Sequence, residues 1–163
     1  PGHTKGHICL YEPNKKIFVA GDHILGDITP TIQLWSDDWD PLKEYLESLE
    51  KVYKLDIELV LPGHRGIIRN CKERIRELID HHEKRLEEII SILRKGSQNA
   101  FEVASQMSWD VIYEAWDRFP VSQKWFATGE AIAHLKYLEK RKRIKRETQD
   151  QKIVYSLSTD YVT

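Results

Sequence analysis

Phe18-Val19-Ala20-Gly21-Asp22-His23 and Leu59-Val60-Leu61-Pro62-Gly63-His64 decide the fold of this chain. Each is an apolar run that closes on glycine, followed at once by a carboxylate or an imidazole. Short aliphatic runs bounded by glycine read as buried strands. In layered α/β proteins, the side chains that carry chemistry sit where such strands stop and loops begin. A third stretch, Pro1-Gly2-His3-Thr4-Lys5-Gly6-His7, leads into an alternating run, His7, Cys9 and Tyr11 against Ile8 and Leu10, which predicts a strand from Gly6 to Tyr11. His and Asp at three such places form a donor set that suits zinc and similar divalent ions.

The connecting segments supply the layers. Glu12-Pro13-Asn14-Lys15-Lys16 has turn chemistry, so Gly6–Tyr11 and Ile17–Ala20 are expected to form a hairpin. Asp40-Pro41 reads as an N-cap and first helical residue, and Leu42, Tyr45, Leu46, Leu49 and Val52 follow at helical spacing. Ile57 to Leu61 returns as a buried strand. Strand, helix, strand is the rhythm of a layered α/β domain.

From Asn70 onward the pattern is helical. Ile75, Leu78, Ile79, His82, Leu86, Ile89, Ile90 and Leu93 form one apolar stripe that stops at Gly96. A shorter helix is predicted over 97–107, with Phe101, Val103, Ala104 and Met107 inward, and another from Gly129 to Lys140. Ile144–Glu147 and Ile153–Leu157 read as two strands around Thr148-Gln149-Asp150-Gln151, and the residues from Thr159 onward as a frayed tail. Three helices followed by a two-stranded ribbon is the order of a winged helix.

The PGHTKGH segment, the apolar run ending in Gly21-Asp22 and the one ending in Pro62-Gly63-His64 resemble, in order, the later motifs of the metallo-β-lactamase fold, in the branch similar to glyoxalase II. His81 with Arg85, the run from Leu93 to Ala104 and Glu130-Ala-Ile-Ala-His-Leu-Lys-Tyr-Leu138 resemble the C-terminal winged helix that some members carry. The resemblance implies an α/β fold, part of an αββα sandwich over residues 1–69, and a mostly α winged-helix domain over 70–163. It implies that His3 binds one metal ion, that Asp22 bridges two and that His64 binds the second. Zinc is the implied ion, with iron or manganese as alternatives. The family's His-x-His-x-Asp-His run is nowhere in the sequence. The chain is therefore expected to be the C-terminal part of a longer enzyme, inactive in isolation, with no catalytic group beyond the metal ligands.

The implied chemistry is hydrolysis of an ester, thioester or phosphodiester by a metal-bound hydroxide, and no Ser or Cys elbow motif offers a protein nucleophile. The competing reading is a non-catalytic α/β remnant with a winged helix that binds nucleic acid or protein. His7 and His23 are candidates for orienting the ligands, against a plain structural role for each. Adjacent His81 and His82 point in different directions, one to the helix surface and one to its core. Trp35 and Trp39 are read as packed, with some contribution to a cleft. The basic run from Lys140 to Arg146 invites a phosphate partner. Its acidic flanks and the net charge of −1 favour a solvated helix end, so nucleic acid ranks below a small ester or thioester.

Composition bounds the rest. A chain 40% hydrophobic and 31% charged can build a core. No apolar run nears the roughly 18 residues of a membrane span. Two cysteines without a paired framework suit a reducing compartment, so a cytoplasmic location is expected, with a homo-oligomer left open.

Overall fold

The computed structural model describes residues 3–110 and 115–158, which divide into two compact units. The first contains residues 1–32 and 41–82, the second residues 33–40 and 83–163. The division falls inside the long helix rather than ahead of it, and the 33–40 segment belongs with the later residues.

In the first unit, β1 (Leu10–Glu12) and β2 (Ile17–Gly21) form the antiparallel hairpin, Leu10 opposite Val19 and Glu12 opposite Ile17. Helix α1 (Pro41–Tyr53) then crosses over to β3 (Leu59–Pro62), which runs parallel to β2 with Phe18 opposite Val60. The sheet order is β1-β2-β3. Alternation along the strands turns Phe18, Ala20 and Val60 inward, while Leu10 and Val19 stay exposed on the opposite face. Leu42, Tyr45, Leu49 and Val52 of α1 are buried, as their spacing predicts. Helix α2 (Cys71–Leu93) adds Ile75, Leu78 and His82 to this core. The predicted first strand is cut short: residues 6–9 are not in the ladder.

In the second unit, the later turns of α2 are followed by β4 (Gln98–Asn99), α3 (Ala100–Gln106), a 3-10 turn (Trp116–Arg118), α4 (Val121–Lys140), β5 (Ile144–Gln149) and β6 (Lys152–Leu157). The sheet order is β4-β6-β5. Asp150 and Gln151 both have positive φ, the backbone that a two-residue hairpin turn needs to match strand twist. Helix α4 starts eight residues before the predicted Gly129, and β4 was not predicted. The predicted tail from Thr159 lies outside the described residues, as do residues 111–114.

The 33–40 segment is held by charge. Both oxygens of Asp37 accept from Arg146, at 3.1 and 3.3 Å, with Lys136 Nζ at 3.8 Å, and Asp40 pairs with Arg141 at 3.6 Å. Trp39 is buried as expected. Trp35 is 65% exposed against the side of Trp125, which corrects its reading as a packed residue. Phe101 is also exposed, whereas Val103, Ala104 and Met107 are buried.

Helix α3 begins with a reciprocal cap. Asn99 Oδ1 accepts from the Glu102 N–H at 3.0 Å, and Glu102 Oε2 accepts from the Asn99 N–H at 2.9 Å. Asn99→Ala is expected to lower stability by about 1 kcal/mol. Denaturant midpoints would show it, and an unchanged midpoint would remove the cap from the account.

Candidate metal centre

The parallel register brings the ends of β2 and β3 together, Gly21 opposite Pro62. The residues that follow, Asp22 on one side and Gly63-His64 on the other, leave the sheet side by side, and the Gly63 N–H donates to Gly21 O at 2.8 Å. β1 runs the opposite way, so its entrance lies at this same edge and brings the 3–7 segment with it. Beyond His64 the chain folds back, with Val60 and Ile68 exchanging hydrogen bonds of 2.8 and 3.1 Å. The three candidate ligands of the sequence therefore meet at one sheet edge.

Asp22 divides its carboxylate between the two imidazoles. Its Oδ2 lies 3.6 Å from His3 Nε2 and its Oδ1 lies 3.4 Å from His64 Nε2. Two donor atoms about 2.1 Å from a tetrahedral ion are roughly 3.4 Å apart, so each pair has the separation of two ligands on one ion. Among the described residues no three His, Cys, Asp or Glu side chains surround a single point as one ion would require. The two findings agree once Asp22 is seen to face two directions: it forms one corner with His3 and another with His64. Asp22 thus stands at ligand-pair separation from both imidazoles, one on each carboxylate oxygen.

The ring of His3 is already oriented. Its Nδ1 is 2.9 Å from Thr31 O, an atom that can only accept, so Nδ1 is a donor and Nε2 is the ring atom that faces Asp22. His64 is the most open of the three, with two-thirds of its side chain exposed.

His7 and His23 sit behind this edge. His7 Nε2 accepts from the Asp22 backbone N–H at 3.1 Å, and burial together with the neighbouring His3 lowers its pKa. His23 is buried, with Tyr45 edge-on at 5.3 Å and Ser48 Oγ 3.2 Å from its Nε2. Burial pushes its pKa down to about 3, so it stays neutral. His82 is buried against Tyr45 and His81 is partly exposed, as their opposed directions on the helix require.

Sequence reasoning missed the parts that are not ligands. Thr31 contributes only a carbonyl, and no residue-type signal marks it. Gly63 is tighter than a turn requires, because a Cβ there would stand 2.6 Å from Asp22 Oδ1. A groove on the neighbouring loops is lined by Asp27, Ile67, Arg69 and Arg74.

Residues 1–64 match the family model of the metallo-beta-lactamase superfamily, and residues 86–156 match that of a metallo-beta-lactamase-like C-terminal domain. The Beta-lactamase-like protein 2 homolog of Caenorhabditis elegans is 32% identical over 111 residues, 68% of this chain and 35% of that protein. The Atrochrysone carboxyl ACP thioesterase of Aspergillus fumigatus is 28% identical over 94 residues, 58% of this chain and 28% of that protein. The crystal structure of a Beta-lactamase domain protein from Burkholderia ambifaria superposes with a TM-score of 0.86 at 29% identity, covering 96% of this chain and 46% of that one. The chain spans less than half the length of each of these proteins.

Proposed function

The chain belongs to the metallo-beta-lactamase superfamily, and from that premise we propose that the protein is a metal-dependent hydrolase whose centre includes His3, Asp22 and His64. The observation that carries this reading is the Asp22 carboxylate, shared between His3 and His64 at ligand-pair separations. His3 with Asp22 would hold one ion and His64 with Asp22 a second. Zinc suits an imidazole–carboxylate set, and iron or manganese also fits. Bound divalent ions would lower the pKa of water and polarise the oxygen of a scissile carbonyl or phosphoryl group. The chain's own part is to aim Nε2 of His3 through Thr31 O and to hold Asp22 between the two corners.

Esters, thioesters and phosphodiesters all suit such a centre. The similarity to a thioesterase of Aspergillus fumigatus favours a thioester. The second unit is proposed to be a winged helix. Supporting this are the helices α3 and α4 after the end of α2, the β5–β6 hairpin and the short β4 joined to β6. Its role is read as packing or assembly rather than nucleic-acid binding, because Asp37 and Asp40 already pair with Arg146 and Arg141 of the basic stretch and with Lys136 one turn before it. Phosphates would have to displace carboxylates held by their own chain. Among the described residues no helix is long and apolar enough to cross a membrane. Cys9 and Cys71 are free thiols, which suits the proposed reducing, cytoplasmic setting.

The test uses the protein expressed from its complete reading frame. Zinc content and turnover of a panel of thioesters, carboxyl esters and aryl phosphodiesters are expected to be lost together in Asp22→Ala. A variant that keeps both would remove Asp22 from the centre and the hydrolase reading with it.

A further inference from the structure

Asp22 lies one residue beyond β2, past a register shift between Val19 and Gly21 that breaks the even pairing with β3. Its N–H therefore leaves the ladder, and it donates to an imidazole, His7 Nε2, at 3.1 Å. The donor belongs to the backbone of the one residue whose carboxylate faces both His3 and His64. A hydrogen bond to that N–H fixes the plane of the Gly21–Asp22 peptide, and with it the direction in which the Asp22 side chain leaves the chain.

Steric evidence points the same way. Gly21 has φ +52, and a Cβ there would stand 2.8 Å from His7 Nε2 and 3.2 Å from its Cε1. The left-handed turn and the close approach of the ring both require glycine at this position. The imidazole is also held from behind. Its Nδ1 lies 3.9 Å from Cys9 Sγ, and the Cys9 S–H donates to Ala20 O at 3.4 Å. The ring stands edge-on to His3, with centroids 6.0 Å apart, and tilted against His23 at 6.2 Å. Because Nε2 accepts from Asp22, the ring proton of a neutral His7 is on Nδ1. Its accepting atom is engaged with the backbone, so His7 is not free to ligate an ion through Nε2.

We propose that His7 is a positioning residue, whose Nε2 accepts the Asp22 backbone N–H and thereby sets where the Asp22 carboxylate stands between His3 and His64. This deepens the metal-centre reading and rests on it for its consequence, although the hydrogen bond itself does not require a metal. Groups that orient ligands in this way typically change metal affinity by about 10- to 100-fold when removed. A ring that merely filled space would be replaced by any side chain of similar volume. One that accepts a particular N–H is replaced only by another acceptor in the same place. Gln Oε1 can reach the position of Nε2, and Leu offers no acceptor.

The experiment compares the complete protein with its His7→Leu and His7→Gln variants, using zinc alone as the probe. In the metal-free wild type, a 15N–15N coupling through the hydrogen bond is expected between the Asp22 amide and His7 Nε2, with slow exchange of that amide. His7→Leu should accelerate the exchange and weaken zinc binding in calorimetry by about 10- to 100-fold. His7→Gln should restore both slow exchange and near wild-type affinity. Absence of the coupling in the wild type, or a Gln variant as impaired as the Leu variant, overturns the positioning role. Intact coupling with rescued exchange, but no zinc uptake by the wild type, upholds the hold of His7 on Asp22 and overturns the metal-centre reading instead.

Discussion

Arg85→Ala is expected to destabilise the protein by about 3–5 kcal/mol at pH 8 and by markedly less at pH 5. Arg85 is buried in the second unit and has four neighbours to satisfy. It donates to Ser108 O, lies 3.8 Å from Glu130 Oε1 and 4.0 Å from Glu88 Oε2, and its guanidinium stands 4.2 Å over the Trp109 ring. Glu130 depends on it most. Burial pushes the Glu130 carboxyl up to about 7 from an ordinary value of 4.5, with the charge of Arg85 acting in the opposite direction. A folded-state pKa above the unfolded one means that the folded protein holds the proton more tightly. The stabilisation this gives is complete below pH 4.5 and disappears as the pH rises through 7. Removing Arg85 raises the Glu130 pKa further, so above neutrality the variant must either bury an uncompensated carboxylate or carry a proton against the pH. Chemical denaturation at the two pH values measures the difference. A loss below about 1 kcal/mol that is equal at both would show that Arg85 acts as an exposed pair does.

Gly63→Val is expected to damage the candidate metal centre by displacing the Asp22 carboxylate. A Cβ at this position would lie 2.6 Å from Asp22 Oδ1 and 3.2 Å from the Gly21 carbonyl carbon. The backbone cannot yield without giving up the 2.8 Å bond from Gly63 N–H to Gly21 O, so the carboxylate must move. Overpacking of this kind costs about 1–3 kcal/mol. Displacing Oδ1, the oxygen that faces His64, should weaken zinc binding by about the 10- to 100-fold seen when ligand orientation is lost. Gly66→Ala is the control, since a Cβ there meets nothing within 4 Å. Equal behaviour of the two variants in melting and zinc titration would contradict the steric argument.

The sheet edge was legible because its signal is local. Gly21-Asp22 and Gly63-His64 each end a strand that hydrophobic patterning marks, and the strand–helix–strand order makes the two ends coincide. Helix α2 was legible for the same reason, its stripe from Ile75 to Leu93 repeating without a break. The misses are cases in which a distant residue overrides the local pattern. Gly129 looks like a helix start, yet it lies inside α4, where the Gln33 side chain packs 3.2 Å from where a Cβ would stand and leaves room only for glycine. β4 is two polar residues, and it is a strand only because β6 lies beside it. Trp35 reads as buried by its chemistry, but its segment is fastened by Asp37 and Asp40, which leaves the indole free of that duty. His7 alternates as a strand residue would, and its engagement with the Asp22 amide coincides with a ladder that begins only at Leu10.

The parallel pairing of β2 with β3 also orders events in time. His3 and Asp22 are gathered by a hairpin, a structure that closes on its own in about 1–10 μs. His64 arrives only when the whole α1 crossover has been enclosed, a non-local step that carries its entropic penalty before any contact repays it. A nascent chain holding the hairpin alone therefore carries one corner of the centre and not the other. The same geometry makes the crossover tolerant of length, since doubling an enclosed segment adds only about 0.6 kcal/mol of closure entropy. Insertions between Tyr53 and Leu59 can accumulate over evolution without parting Asp22 from His64, whereas a single added residue between Gly21 and Asp22 would turn the carboxylate away from both imidazoles.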